Sequence, residues 1–216
     1  MIFLKRADEF KGSVTELVDT GAEFTVNPNN IVVTNPVTVP TGPINLPDSI
    51  KNSSGFRSFI AIPGVQQRVQ QIATKLGVKP EDLYFVFYKE TIGSFDPAKQ
   101  NSTSKAVGLI QFIPDTAAKL GVTTEQLKTM GAVKQLDYVE KYFGSKKFKN
   151  AYDLYLYVFF PLGVGKPSSF VLQNQNQSAQ LISTQNPAIA RAAGKKPGDP
   201  LTVNDFYIYV KNSLTG

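Results

Sequence analysis

The stretch PEDLYFVFYKE, residues 80–90, predicts the element around which the chain folds. Pro80 suits the first turn of a helix, and the two acidic residues behind it suit the positive end of the helix dipole. The residues that follow are apolar on nearly every face, which is typical of a helix surrounded by protein. We therefore expect a central, buried helix that ends near Glu90, shortly before Gly93.

Helical periodicity continues on both sides of this element, with hardly a hairpin signal. The segment VQQRVQQIATKLG, residues 65–77, places its aliphatic residues on one face and ends in a glycine suited to a helix C-terminus. Periodicity, first-turn prolines and capping residues predict further helices over five ranges, 114–121, 123–144, 151–160, 186–194 and 202–214. The sequence therefore predicts a mainly α domain.

Residues 1–55 differ in composition, and we interpret them as an N-terminal arm or linker ahead of a domain over residues 56–216. Five prolines lie between residues 28 and 47, a spacing that forbids a helix and favours extended backbone. The segment NNIVVTNPVTVP, residues 29–40, is richer in Val and Ile than a flexible linker. We therefore expect the arm to lie against a partner.

The composition excludes several classes of catalytic site. The chain has no cysteine and no histidine, so thiol nucleophiles, Ser-His-Asp triads, imidazole acid/base chemistry and Cys/His zinc sites are all absent. An enzyme of this composition works with carboxylates, and the sequence gives no sign of a metal or an organic cofactor. The net charge of +6 favours an anionic polymer such as the bacterial cell wall. The basic residues belong to no recognisable nucleic-acid module, so nucleic-acid binding is not expected.

Glu90 is the candidate catalytic residue. It lies three and seven residues after Phe87 and Leu83, on a face that the helix turns toward the core. Burial and the negative end of the helix dipole both disfavour a charged carboxylate, so we expect its pKa to be raised. A carboxyl that stays protonated near neutral pH is suited to general acid catalysis. On the helix alone, an exposed glutamate, or one paired with Lys89 or Lys105, is the commoner outcome.

The segment KAVGLIQFIPDTA, residues 105–117, favours the catalytic interpretation of Glu90 over these alternatives. Together with Glu90 and the turn FDPA at residues 95–98, it resembles the lytic transglycosylases, a family with a lysozyme-like fold. The shared pattern is a glutamate ending a buried helix, an Asp/Asn-Pro-x-Ala turn, Gly-Leu-Met/Ile-Gln and a Pro-x-Thr-Ala helix start. The match covers about residues 80–121. The segment QLDYVEKYF, residues 135–143, further resembles the versions that phage virion proteins carry.

The resemblance implies a sugar groove beside Glu90. In the family the Gly-Leu-x-Gln segment lines this groove, which predicts saccharide binding by Gly108, Leu109, Ile110 and Gln111 through backbone groups and the glutamine side chain. The alternative for Gln111 is a glutamine that satisfies a neighbouring backbone amide.

Two further candidate substrate-binding residues match the family less closely. The family has Glu-Ser-Gly where this chain has Thr91-Ile92-Gly93-Ser94 after its glutamate, and we interpret this as a lengthened turn with Ser94 in the serine's neighbourhood. The family's Ala-Tyr-Asn motif, whose tyrosine approaches the glutamate, corresponds at best to AYD, which makes Tyr152 the candidate. The alternative is that Tyr152 is one of several core tyrosines.

The resemblance implies cleavage of the β-1,4 bond between N-acetylmuramic acid and N-acetylglucosamine in peptidoglycan. Glu90 protonates the departing oxygen and then deprotonates the muramic acid 6-hydroxyl, which gives a 1,6-anhydro product. One carboxylate suffices where the N-acetyl group of the sugar attacks the anomeric carbon. A hydrolytic lysozyme of the same fold is an alternative and calls for a second carboxylate, for which Asp96 and Asp115 are nearest in sequence. A catalytically silent structural or glycan-binding virion protein is another.

The expected location is a phage virion, with the protein acting in the host periplasm on the cell wall. The arm would hold it to other virion proteins, and the particle would deliver it, since no signal peptide follows MIFL. A bacterial protein exported by a dedicated secretion machine is the alternative. No membrane span is expected, because the longest apolar run, residues 154–165, is too short to cross a bilayer and contains Pro161.

Overall fold

A computed structural model of the chain describes residues 45–215. In chain order the α-helices are α1 (Asp48–Lys51), α2 (Ser54–Ile60), α3 (Val65–Leu76), α4 (Pro80–Thr91), α5 (Pro114–Lys119), α6 (Thr124–Thr129), α7 (Ala132–Phe143), α8 (Ala151–Phe159), α9 (Ala179–Gln185), α10 (Pro187–Ala192) and α11 (Val203–Thr215). A short 3-10 helix follows α8 at Pro161–Gly163, and β-structure in these residues is confined to isolated bridges. The predicted mainly α class is confirmed, while the lysozyme-like arrangement within that class stays a prediction.

The central helix α4 begins as the sequence predicts. Pro80 occupies its first turn, and the Asp82 carboxylate accepts a hydrogen bond from the Lys79 backbone N–H at 3.0 Å. Residues 82–87 are all buried, and the helix packs against both α3 and α8. Because α4 is enclosed in this way, the residues at its C-terminal end have a fixed position relative to the core.

The predicted helix over residues 123–144 is wrong as a single element, because the structure divides it into α6 and α7. The α6 helix starts at the predicted capping box, in which the Thr123 hydroxyl accepts from the Gln126 N–H. Met130 then has extended backbone with ψ of 146°, and Gly131 is the N-cap residue of α7. Glycine in a helix interior costs about 1 kcal/mol relative to alanine, so a break at Gly131 removes that cost.

Three helices lie outside the predicted ranges, namely α1, α2 and α9. The first of them, together with the start of α2, falls inside the predicted arm of residues 1–55. Leu46 and Ile50 are 2% and 1% exposed, so this last part of the arm packs on the helical core. The sequence does not predict these helices because they are short. The four residues of α1, for example, are too few to show helical periodicity. The rest of the arm, residues 1–44, lies outside the described residues, as does Gly216.

Among the described helices, none has both the length and the apolar character that a membrane-spanning helix needs.

An ion-pair network joins α3 to α7. Arg68 on α3 pairs with Asp137 at 3.1 Å and with Glu140, and Lys75 pairs with Glu140 at 2.7 Å. Hydrogen bonds from Lys75 and then from Arg68 hold the pKa of Glu140 below its usual value of 4.5. A carboxyl whose folded-state pKa is depressed stabilises the fold above its unfolded pKa and loses this effect as the pH falls.

The Glu140→Gln substitution should lower the free energy of unfolding by about 1 kcal/mol at pH 7, as partly exposed ion pairs typically do. The difference between wild type and variant should shrink as the pH falls below 4.5, because the wild-type carboxyl then becomes protonated. Urea unfolding at pH 7 and pH 3 would measure both effects. A loss of the same size at the two pH values would contradict the electrostatic explanation.

Candidate active site

The segment that connects α4 to α5 has a strained backbone. Within residues 45–215 the non-glycine residues with left-handed φ are Ile92 at 55°, Phe95 at 52°, Lys105 at 59° and Gln111 at 49°. All four lie in this one connection, and each such residue costs on the order of 1 kcal/mol. Strained residues of this kind persist where surrounding contacts hold them, and they concentrate at ligand sites. The strain therefore makes this connection a candidate functional segment.

Hydrogen bonds close the C-terminal end of α4 directly behind Glu90. The Thr91 hydroxyl donates to the Phe87 carbonyl at 2.7 Å and accepts from the Phe95 N–H at 2.9 Å. The Ser94 hydroxyl donates to the Thr91 carbonyl at 2.9 Å. Ser94 therefore holds the turn after α4, and its own side chain is used within that turn.

Residues 108–111 form a tight loop whose base is a pair of hydrogen bonds between Val107 and Phe112, at 3.0 and 2.8 Å. The Gly108 N–H donates to the Lys99 carbonyl at 2.8 Å, and its own carbonyl accepts from the Gln111 N–H at 3.1 Å. The two halves of the connection, around residues 99 and 108, are thus bonded to one another.

Gln135 on α7 anchors this loop from behind and is fully buried. Its Oε1 accepts from the Leu109 N–H at 2.7 Å, and its Nε2 donates to the carbonyls of Pro97 and Leu127 at 2.8 and 3.0 Å. A Cβ on Gly108, whose φ is 88°, would lie 2.3 Å from Gln135 Oε1, so glycine is required here by an internal contact. Sequence reasoning missed Gln135, although its position one turn before Val139 places a polar residue on the apolar stripe of α7.

Glu90 and Gln111 line one cavity of about 210 Å³. They are 2% and 5% exposed, so both belong to the interior although they border this space. The other lining residues are Lys89 and Ile92 at the end of α4 and the polar residues 99–102. The structure thus brings together the predicted acid and the predicted glutamine, which lie about twenty residues apart in the chain.

The side chain of Gln111 bonds to the connection itself. Its Nε2 donates to the carbonyls of Gly108 and Lys99 at 2.9 and 3.1 Å, which is the backbone role considered for it as an alternative. These bonds use the nitrogen and leave the amide oxygen as an acceptor. The position of Gln111 is compatible with both roles, because the residue lines the cavity while it ties two loop segments together.

The other predicted substrate-binding residues do not line the Glu90 cavity. Leu109 and Ile110 are 0% and 2% exposed and belong to the hydrophobic core. Tyr152 is 1% exposed and its ring packs edge-on against Tyr207, with centroids 5.6 Å apart. Gly108 and Ser94 use their polar groups within the connection, as described above.

The tyrosine that meets Glu90 is Tyr155, one turn after Tyr152 on α8. Burial raises the pKa of Tyr155 well above its usual value, and the charge of Glu90 and a hydrogen bond to it add to the effect. Tyr155 also packs edge-on against Phe85 of α4, with ring centroids 5.9 Å apart. Periodicity places Tyr152 and Tyr155 on one helical face, but only the packing of α8 on α4 selects between them.

Tyr209 of α11 and Lys89 of α4 complete the surroundings of the acid. Burial, followed by the charge of Glu90, raises the pKa of Tyr209 to about 12. The Lys89 ammonium lies 4.4 Å from the centroid of the Tyr209 ring and donates to the Ser213 hydroxyl at 3.0 Å. Burial lowers the pKa of Lys89, and the charge of Glu90 opposes that effect. Glu90 is therefore surrounded by phenol groups and one ammonium.

Within the described part of the chain, no group of three or more Asp and Glu side chains is placed to hold a metal ion. Comparison of the chain with protein-family models, with curated proteins and with solved structures finds no match. The site is therefore interpreted from its own residues and their geometry.

The Gln135→Leu substitution should lower the free energy of unfolding by at least about 2 kcal/mol, because it leaves several buried backbone groups without a partner. The Leu109 amide should also exchange its hydrogen with solvent much faster. Chemical unfolding and amide hydrogen exchange would measure these effects. As a matched control, Gln67→Leu changes an exposed residue of α3 and should stay within about 0.5 kcal/mol of wild type. Unchanged exchange at Leu109 would contradict the anchoring role of Gln135.

Proposed function

We propose that the protein cleaves the β-1,4 glycosidic bond between N-acetylmuramic acid and N-acetylglucosamine in peptidoglycan, with Glu90 as acid and base. The observation that carries the proposal is the position of Glu90, which ends the central helix, is 2% exposed and borders a cavity shared with Gln111. This combination of a buried acid and a neighbouring glutamine is the one that the resemblance to lytic transglycosylases implies.

A carboxyl in this position is suited to proton transfer. Its environment excludes bulk water, so a bound substrate meets it in place of solvent. Tyr155 interacts electrostatically with it, and a hydroxyl beside a carboxylate stabilises its charged form after the proton has left. Both states that an acid/base residue must adopt are thereby accommodated at one site.

The proposed reaction has two steps. Glu90 first gives its proton to the glycosidic oxygen while the bond to the anomeric carbon breaks and the N-acetyl oxygen of the same sugar attacks that carbon. The Glu90 carboxylate then removes the proton of the muramic acid 6-hydroxyl. The freed oxygen bonds to the anomeric carbon and displaces the N-acetyl oxygen, which yields the 1,6-anhydro sugar. Glu90 is protonated again at the end, and no water is consumed.

The carboxylates near the site favour this route over hydrolysis. Among residues 45–215, Glu90 is the one acidic residue that lines its cavity. Asp96 is exposed and accepts a hydrogen bond from the Ala98 N–H at 2.8 Å, which is a turn-forming role. Asp115 is exposed in the first turn of α5, where it suits the helix dipole. A hydrolytic lysozyme with a second carboxylate therefore has less support than a transglycosylase.

Polar groups of the connection are the proposed sugar-binding groups. The Gln111 amide oxygen is available to accept from an acetamido N–H, and residues 99–102 supply further donors and acceptors at the cavity. The buried side chains of Leu109 and Ile110 fix the loop that presents Gln111. Their proposed role is to position the groove while their side chains remain in the core.

The proposed setting is a phage particle at entry, with the protein acting in the host periplasm on the cell wall. The net charge of +6 supports contact with the anionic wall. In this setting residues 1–44 attach the protein to other virion proteins. A catalytically silent virion protein of the same fold is the competing function, and the next experiment separates the two.

Digestion of purified peptidoglycan by wild type should release anhydro-muropeptides, and Glu90→Gln should lower the rate by at least about 100-fold, the usual contribution of general acid/base catalysis. Mass spectrometry of the soluble products would measure both. Glu81→Gln, which changes a glutamate in the first turn of the same helix, is the matched control and should keep wild-type activity. Reducing-end products would identify a lysozyme. Absence of products from folded wild type would contradict the enzymatic function.

The Tyr155→Phe substitution should lower kcat by about 10- to 100-fold with little change in KM, since it removes a hydroxyl that interacts with Glu90 and does not itself line the substrate cavity. The ring and its packing on Phe85 are kept. Steady-state kinetics on soluble glycan strands would measure the effect. Tyr152→Phe is the comparison, and a larger loss there than in Tyr155→Phe would favour the assignment made from the sequence.

A further inference from the structure

A second cavity, of about 620 Å³, adjoins the Glu90 cavity and shares Lys89 and Ile92 with it. We call it the α10 cavity, because its other walls include residues 184–188 and Arg191, at the end of α9 and along α10. It is three times the volume of the Glu90 cavity, and no step of the proposed reaction uses it. A ligand that extends past the reacting bond would enter it directly.

The charge of the α10 cavity is positive. Arg191 and Lys89 line it, and none of the described residues that line it is acidic. Arg191 is exposed and forms no ion pair with any residue between 45 and 215. The Lys89 ammonium is held by the Ser213 hydroxyl and the Tyr209 ring, neither of which is anionic. A carboxylate or a phosphate is the ligand group that these two cations favour.

Two side-chain amide oxygens of cavity residues have no hydrogen-bond donor in the part of the chain that the structure describes. Asn186 is 2% exposed, and its Nδ2 donates to the Ile182 carbonyl at 2.8 Å, but its Oδ1 has no hydrogen-bond partner. The Oε1 of Gln185, the preceding residue, likewise has no hydrogen-bond partner. A buried acceptor without a donor is unfavourable, so a ligand that offers N–H groups is stabilised here once the amides turn toward it. A simple anion cannot provide such donors.

An apolar residue stands where the two cavities meet. Ile92 is 77% exposed although it is β-branched and has left-handed φ of 55°. Pro187 and Ala188 contribute further apolar surface to the α10 cavity. The ligand that fits these features combines backbone N–H donors, small apolar groups and a carboxylate, which is the chemistry of a short acidic peptide.

We infer that the α10 cavity binds the acidic peptide carried by a peptidoglycan strand next to the bond that Glu90 cleaves. The substrate is then a peptide-bearing strand in preference to bare glycan. That the peptide belongs to a peptidoglycan strand rests on the proposed function of Glu90. The affinity of the cavity for an acidic peptide does not depend on that function, and it is tested separately.

The first test measures binding of the free stem peptide, released from peptidoglycan by an amidase, to the full-length chain by calorimetry or NMR. Arg191→Gln should weaken binding by about 10-fold or more, the usual effect of losing a charge-assisted hydrogen bond. Arg57→Gln removes the same charge from an exposed site on α2 and should bind as wild type does. A peptide with amidated carboxyl groups should bind wild type as weakly as the unmodified peptide binds Arg191→Gln. Displacement of the peptide by an uncharged chito-oligosaccharide of equal affinity would overturn the inference.

The second test compares digestion of intact peptidoglycan with digestion of strands stripped of their peptides. Wild type should show at least about a 10-fold higher kcat/KM on intact strands, and Arg191→Gln should lose that preference. Equal cleavage of both strands by wild type, with Arg191→Gln binding the peptide normally, would overturn the inference and leave the role of Glu90 intact. Binding of the peptide that depends on Arg191, without cleavage of either strand, would support the inference and contradict the proposed catalysis.

Discussion

The enclosure of α4 by its neighbours is the constraint on which the site depends. A helix that is apolar on nearly all faces stays in the middle of the protein, and whatever it carries at its end stays there with it. Glu90, at the C-terminal end of this helix, is therefore buried. The cost of placing a carboxyl in this position is reduced by the Tyr155 hydroxyl, which α8 brings against α4.

The same constraint explains the strain that follows Glu90. The chain must turn sharply at the end of α4, because Phe95 returns to the core and is 2% exposed. Ile92 and Phe95 take left-handed backbone to make this turn, and Thr91 bonds across it. A glycine or asparagine would adopt these conformations at lower cost, so the strain indicates that side chains are needed at these positions. Phe95 packs on Phe59, with centroids 5.5 Å apart, whereas the side chain of Ile92 is exposed between two cavities.

Local signals in the sequence are sufficient to predict the helices that carry the site. Proline at the first turn and glycine after the last turn place α3 and α4 within a residue or two, because these signals act through the backbone of the helix itself. The choice of Tyr155 over Tyr152 and the role of Gln135 are different in kind. Each depends on how one helix packs on another, and the sequence of a single element does not contain that information.

Lys89 lines both the Glu90 cavity and the α10 cavity. A lysine next to a catalytic acid in sequence would hold that acid as a permanent carboxylate if the two paired, and proton donation would then be disfavoured. The helix turns the lysine side chain toward α11, where the Tyr209 ring and the Ser213 hydroxyl bind its ammonium. Lys89 thereby lines the α10 cavity as well as the Glu90 cavity. Its charge is available to an anionic ligand, while the carboxyl beside it in sequence interacts with the neutral phenol of Tyr155. The end of one helix thus supplies an acid to one cavity and a cation to the next.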